Sequence, residues 1–125
     1  MKVDAIKNCC NVDLEEIKRL KNELSNLYDN TELNERTEIF KALTDPTRLQ
    51  ILYLLKFRDL YVCELTEVLT EVLDKPQSII SHHLNILKRV GFIKSSKKGI
   101  WTLYGLKNPD IIALADNLCE KIQND

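Results

Sequence analysis

A chain of 125 residues with 44% apolar and 30% charged side chains fits one globular core and excludes a disordered or fibrous protein. Only three Gly and three Pro interrupt it, so long structured elements are expected, and no apolar run reaches the length of a membrane-spanning helix. Residues 1–12 lack the apolar stretch of a secretory leader, and the expected location is the cytoplasm. Four cysteines, Cys9, Cys10, Cys63 and Cys119, are too few for a disulfide scaffold of this length. They leave packing, redox chemistry or soft-metal binding.

The net charge of −1 hides a strong asymmetry. Residues 1–74 carry ten basic and fifteen acidic side chains, residues 75–107 seven basic and none acidic, and residues 108–125 one basic and four acidic. An acid-free block inside an otherwise acidic chain predicts a surface that meets an anion, nucleic acid first among them, with a solvated charged face as the bland alternative.

In chain order, residues 13–28 predict a helix capped by Asp13, with Glu16 completing a capping box. Ile17, Leu20, Leu24 and Leu27 give it a seam for another helix. Thr31 is the expected cap of a second helix bearing Leu33, Ile39, Phe40 and Leu43. Asp45-Pro46 opens a third, apolar nearly all round from Leu49 to Phe57 and so expected to be central. A fourth covers residues 62–73, where Thr-Glu-Val-Leu occurs twice in succession and keeps Leu65, Leu69 and Leu73 on one face. Pro76 suits the first turn of a fifth helix running to Val90, and Gly91 its end. Residues 92–96 and 100–106 predict two strands joined by a turn at 97–99. Asn108-Pro109 starts a last helix with an apolar stripe of Ile111, Ala115, Leu118 and Ile122.

Helix, short break, helix and two-stranded hairpin make the outline of a winged helix-turn-helix, a mainly α fold with a small β-hairpin wing. In that motif the second helix enters the major groove. Ser78, Ser81, His82 and Asn85 share one helical face by the i, i+3, i+4, i+7 rule, with Gln77 and His83 beside them. Gln pairs with adenine in bidentate fashion and Ser either donates or accepts. Lys88, Arg89, Lys94, Lys97 and Lys98 supply the expected phosphate contacts. His82 and His83, adjacent and about 100° apart around a helix, do not converge on a metal.

Two stretches resemble the ArsR/SmtB metal-sensing repressors: Phe40 to Leu49 with Ile51-Leu52, and Gln77 to Leu84 followed by Leu87-Lys88 and Gly91. Ile100 to Leu106 is similar to the family's second wing strand, and the likeness spans about residues 38–120. It implies a homodimer built through the terminal helices, with residues 1–30 as arm and dimerisation helix and residues 31–125 as the DNA-binding domain with its C-terminal dimerisation helix. It implies a repressor that holds a double-stranded operator and releases it when metal binds, with Gln77, Ser78, Ser81 and His82 reading bases. The doubled Thr-Glu-Val-Leu makes the segment from Glu64 to His82 longer than the family pattern by roughly one helical turn.

The resemblance also directs attention to inducer sites. A site on the last helix uses Asp and His, but the matching positions here are Asn108, Asp110, Lys121 and Asn124, which do not suit zinc or cobalt. A second type uses thiolates before the recognition helix. Its motif is retained here as Leu60-Tyr61-Val62-Cys63-Glu64-Leu65, with Tyr in place of the first Cys. Some members add Cys from an N-terminal arm, a role open to Cys9 and Cys10. Three soft sulfurs suit As(III) or Sb(III), and also Cd(II) or Pb(II). Alternatives are a redox- or persulfide-sensing repressor of the same fold, with Cys9, Cys10 or Cys119 reacting, and a winged-helix protein-interaction adaptor. An enzyme is not expected, because no phosphate-binding Gly loop or nucleophile–base pair occurs.

Overall fold

A computed structural model describes residues 12–73 and 76–124. Its contacts fall into two compact units, one up to Thr37 and one from Glu38. In the first, helix α1 (Leu14–Leu27) starts where expected, with Asp13 Oδ1 accepting from the Glu15 amide at 3.0 Å and the Glu16 amide at 3.4 Å. The Glu16 carboxylate takes Arg19, which also donates to Glu23. Among the described residues α1 has none that is buried. Helix α2 (Asn30–Ala42) is capped two residues earlier than Thr31 suggests: Asp29 Oδ1 accepts from the Glu32 amide at 2.7 Å. A carboxylate is the stronger acceptor for a helix's free amides, and Thr31 falls inside the first turn.

The second unit holds the core. Asp45 caps helix α3 (Pro46–Phe57) by accepting from the Thr47 and Arg48 amides at 2.8 and 3.2 Å, with Pro46 at the first helical position. Only one side of α3 is central: Ile51, Leu52 and Leu55 are buried, whereas Tyr53 and Phe57 are exposed. The Tyr53 hydroxyl donates to Asp116 at 2.6 Å, which raises its pKa above the ordinary 10.0. Strand β1 (Leu60–Tyr61) leads directly into helix α4 (Val62–Leu73). After it, helix α5 (Gln77–Val90) packs on both α3 and α4. Leu65 and Leu69 of α4 meet Ile80, Leu84 and Leu87 of α5 in the fully buried centre.

Helix α5 ends at Gly91, whose φ of 107° suits glycine, and the amides of Gly91 and Phe92 both donate to the Leu87 carbonyl. Strands β2 (Ile93–Lys98) and β3 (Trp101–Leu106) form an antiparallel hairpin from Ile93↔Leu106 to Lys98↔Trp101. The turn is therefore two residues, Gly99-Ile100, rather than three, and Gly99 takes the positive φ (66°) that such tight turns require. Strand β1 adds to the free edge of β3, giving the order β1-β3-β2. Helix α6 (Asp110–Gln123) begins where Asn108 Oδ1 accepts from the Asp110 amide at 3.0 Å. It anchors through Ile112, while Leu118 and Ile122 of the predicted stripe are exposed.

Candidate nucleic-acid interface

Helix α5 has a clean division of faces. Ile80, His83, Leu84 and Leu87 are buried; Gln77, Ser78, His82, Asn85, Lys88 and Arg89 are exposed, and Ser81 is half-buried at the border. Packing of the inner face against α3 and α4 therefore holds Ser78, His82 and Asn85 outward along about two turns, the reach of a helix in a major groove. Its apolar Ile79 is also exposed among them.

His83 is a correction. Sequence reasoning grouped it with the exposed DNA-contacting residues, but only 9% of it is accessible. Its Nδ1 lies 3.0 Å from Arg48 Nη1, and its Nε2 lies 3.9 Å from Asp45 Oδ1. Adjacent positions on a helix point about 100° apart, so with His82 outward its neighbour turns toward the core. The two imidazoles, tilted 53° with centroids 5.8 Å apart, are not arranged as a metal pair. Burial disfavours the Asp45 carboxylate. The Arg48 amide, His83, the Thr47 amide and the Arg48 charge outweigh this and hold its pKa below the ordinary 3.8.

The hairpin distributes its lysines over two faces. Lys94, Lys97 and Lys98 are all exposed, but strand alternation puts Lys94 and Lys98 on one side and Lys97 on the other. Lys94 and Lys98 border a shallow hollow of about 260 Å³ that also includes Asp59 and Gly105. A Cβ at position 105 would collide with the Asp59 carboxylate, so this glycine makes room for an acidic group next to the basic hairpin. At the tip, Ile100 is 84% accessible and Trp101 half so.

Cys63 is exposed as the second residue of α4, and Cys119 is exposed on α6. Cys9 and Cys10 lie outside the described residues. Among the described residues, no three His, Cys, Asp or Glu side chains converge in a way that could hold a metal ion. Asn108, Asp110, Lys121 and Asn124 are exposed at the two ends of α6. No described helix is long and apolar enough to cross a membrane.

Sequence reasoning did not assign Arg48, which joins α2, α3 and α5. Its nearest signal is its place three residues after Asp45 in the Asp-Pro-Thr-Arg run, but only the fold shows its partners.

The family model for bacterial regulatory proteins of the arsR family matches residues 45–95, from the Asp45 cap through α5 into β2. An uncharacterized HTH-type transcriptional regulator of Methanocaldococcus jannaschii is 47% identical over 85 residues, covering 65% of this chain and 91% of that protein. This chain belongs to the ArsR family. The arsenical resistance operon repressor of Bacillus subtilis is 37% identical over 89 residues, 70% of this chain and 81% of that protein. A homodimeric winged helix-turn-helix DNA-binding domain from Mycobacterium bovis matches the fold with a TM-score of 0.64 at 23% identity, over 74% of this chain and 86% of that one. The ArsR-family chain described here is thus a transcriptional repressor with a winged helix-turn-helix DNA-binding domain, and not an enzyme.

Proposed function

We propose that this repressor acts as a cytoplasmic homodimer that lays α5 of each subunit into the major groove of a double-stranded operator and lets go when Cys63, Cys9 and Cys10 bind a thiophilic ion. The observation that carries the DNA half is the outward row of Ser78, His82 and Asn85 on a helix whose other side is locked in the core, inside the acid-free block. In this reading Gln77, Ser78, Ser81, His82 and Asn85 read bases, and Lys88, Lys94, Lys97 and Lys98 neutralise phosphates. Residues 1–30 serve as arm and dimerisation helix and residues 31–125 as the DNA-binding domain. The apolar side chains that α1 and α6 leave exposed, Leu20, Leu24 and Leu27 on one and Leu114, Leu118 and Ile122 on the other, are the surface for a second copy. Two readers related by a two-fold axis favour half-sites about 34 Å apart, or a multiple of that.

The inducer half rests on the accessibility of Cys63 and on the similarity to an arsenical resistance repressor. In this reading Cys9 and Cys10, which lie outside the described residues, complete the donor set, the role that the resemblance to ArsR/SmtB repressors implies. Three thiolates select As(III), Sb(III), Cd(II) or Pb(II) over hard cations. The test is titration of the reduced protein on a duplex that it has itself selected from a random-sequence pool. As(III), Cd(II) and Pb(II) are each expected to release the DNA, Cys63→Ser is expected to bind DNA unchanged and not release it, and release from that variant overturns the thiolate site. A redox reading, in which Cys9, Cys10 or Cys119 reacts, has one observation in its favour, the exposure of Cys119. Peroxide rather than arsenite would then cause release as two thiols are oxidised to a disulfide, or a polysulfide would do so by handing a sulfur to one thiol as a persulfide, and mass spectrometry tells the two products apart.

A further inference from the structure

Packing of Ile80, Leu84 and Leu87 turns the inner face of α5 toward the core, and a hydrogen bond adds to it a directional restraint on the fine rotation of the helix about its axis. Directional contact comes from Arg48. Its Nε donates to the Ala42 carbonyl at 2.7 Å, its Nη2 to the Lys41 carbonyl at 3.2 Å and its Nη1 faces His83 Nδ1 at 3.0 Å. A guanidinium only donates, so Nδ1 must accept and the ring proton sits on Nε2, the nitrogen nearer Asp45. One planar group thus satisfies carbonyls at the end of α2 and grips a side chain in the middle of α5. His83 lies next to His82 and two residues before Asn85, so the gripped position is interleaved with the exposed row.

We propose that Arg48 and His83 are positioning residues for DNA reading: their bond sets the rotation of α5 and so decides which groups of the outer face meet the bases. With side chains the helix has a radius of about 5–6 Å, so a rotation of about 20° moves a side-chain tip by about 2 Å. That displacement turns a hydrogen bond into a miss. The inference rests on α5 being the reader, and its test separates the two ideas.

The probe is a duplex selected by the wild-type protein from a random-sequence pool, compared with a scrambled duplex of equal length at fixed salt. The readout is the ratio of the two affinities, with thermal unfolding followed in parallel. His83→Leu keeps the volume and removes the acceptor; it is expected to lower the ratio about tenfold, the worth of one well-made base contact. Affinity for the scrambled duplex and its salt dependence stay unchanged. His83→Asn returns an acceptor near the place of Nδ1 and is expected to restore most of the ratio. Arg48→Lys keeps the charge but cannot reach two carbonyls and the imidazole together, so it gives the same loss and serves if His83→Leu does not fold. An unchanged ratio in the folded variants overturns the proposal. So does a fall shared equally by both duplexes, or a failure of His83→Asn to rescue. Ser81→Ala with His82→Ala is the control: if that pair lowers the ratio and the clamp variants do not, the clamp alone fails. If that pair leaves the ratio intact, α5 is not the reader.

Discussion

Helices α5 and α6 are both 14 residues long and both amphipathic, yet they end differently. Helix α5 sinks Ile80, Leu84 and Leu87 completely and shows mainly polar groups outside. Helix α6 sinks only Ile112 fully and leaves Leu114, Leu118 and Ile122 more than half accessible. Helix α1 goes further, with no buried residue among the described ones. Similar hydrophobic patterning therefore has two outcomes: on one helix it closes a core, and on the others it leaves an accessible apolar face. Periodicity alone does not separate the two, because both faces obey the same 3–4 spacing.

The sharpest way to break this comparison is to cut a large side chain from each side. Leu84→Ala is expected to cost about 2–5 kcal/mol of protomer stability, because it opens a cavity where nothing is accessible, and urea unfolding measures it. Asp45→Ala removes the cap of α3 and is expected to cost about 1 kcal/mol in the same assay. The acid limb refines that expectation. The folded pKa of Asp45 lies below the ordinary 3.8, so its contribution is present above that value and disappears as the pH falls through the folded one. Asp45→Asn, which still caps, should therefore lose less stability on acidification than the wild type, as parallel unfolding curves from neutral to acidic pH will show.

On the other side of the comparison, Leu118→Asn is expected to change intrinsic protomer stability by only about 0.5 kcal/mol. Its effect belongs in sedimentation, where the dimer gives way to monomer, and in Tm, which loses its dependence on protein concentration. A dimer that persists would remove α6 from the interface. The smallest change is Lys97→Gln: weaker binding to all duplexes alike and a salt slope lower by about one, with sequence preference intact.

Much of this was readable in the residues. Asp45-Pro46 and Gly91 mark helix ends by local chemistry, and the structure places them there. The outer row of α5 follows from helical spacing and coincides with the acid-free block. What escaped depended on contacts distant in sequence. Strand β1 is two residues long and exists only because β3 offers an edge, so no alternation announces it. Asp29 rather than Thr31 caps α2 because the helix begins two residues earlier than a cap at Thr31 implies, which the polar run of residues 29–31 does not decide. His83 was grouped with its neighbours by polarity, and Arg48, 35 positions earlier, together with nearby Asp45 explains why an imidazole is tolerated in the core. The open side of α3 was missed because an all-apolar run conceals which residues lack a neighbour.

The short strand β1 has a mechanical consequence. Tyr61 is laddered to Leu103 of the hairpin, and Cys63 follows only two residues later. A displacement of that sulfur would therefore reach the wing through only two residues of backbone. The hairpin, and not just the groove-facing rod, lies directly in the line of force.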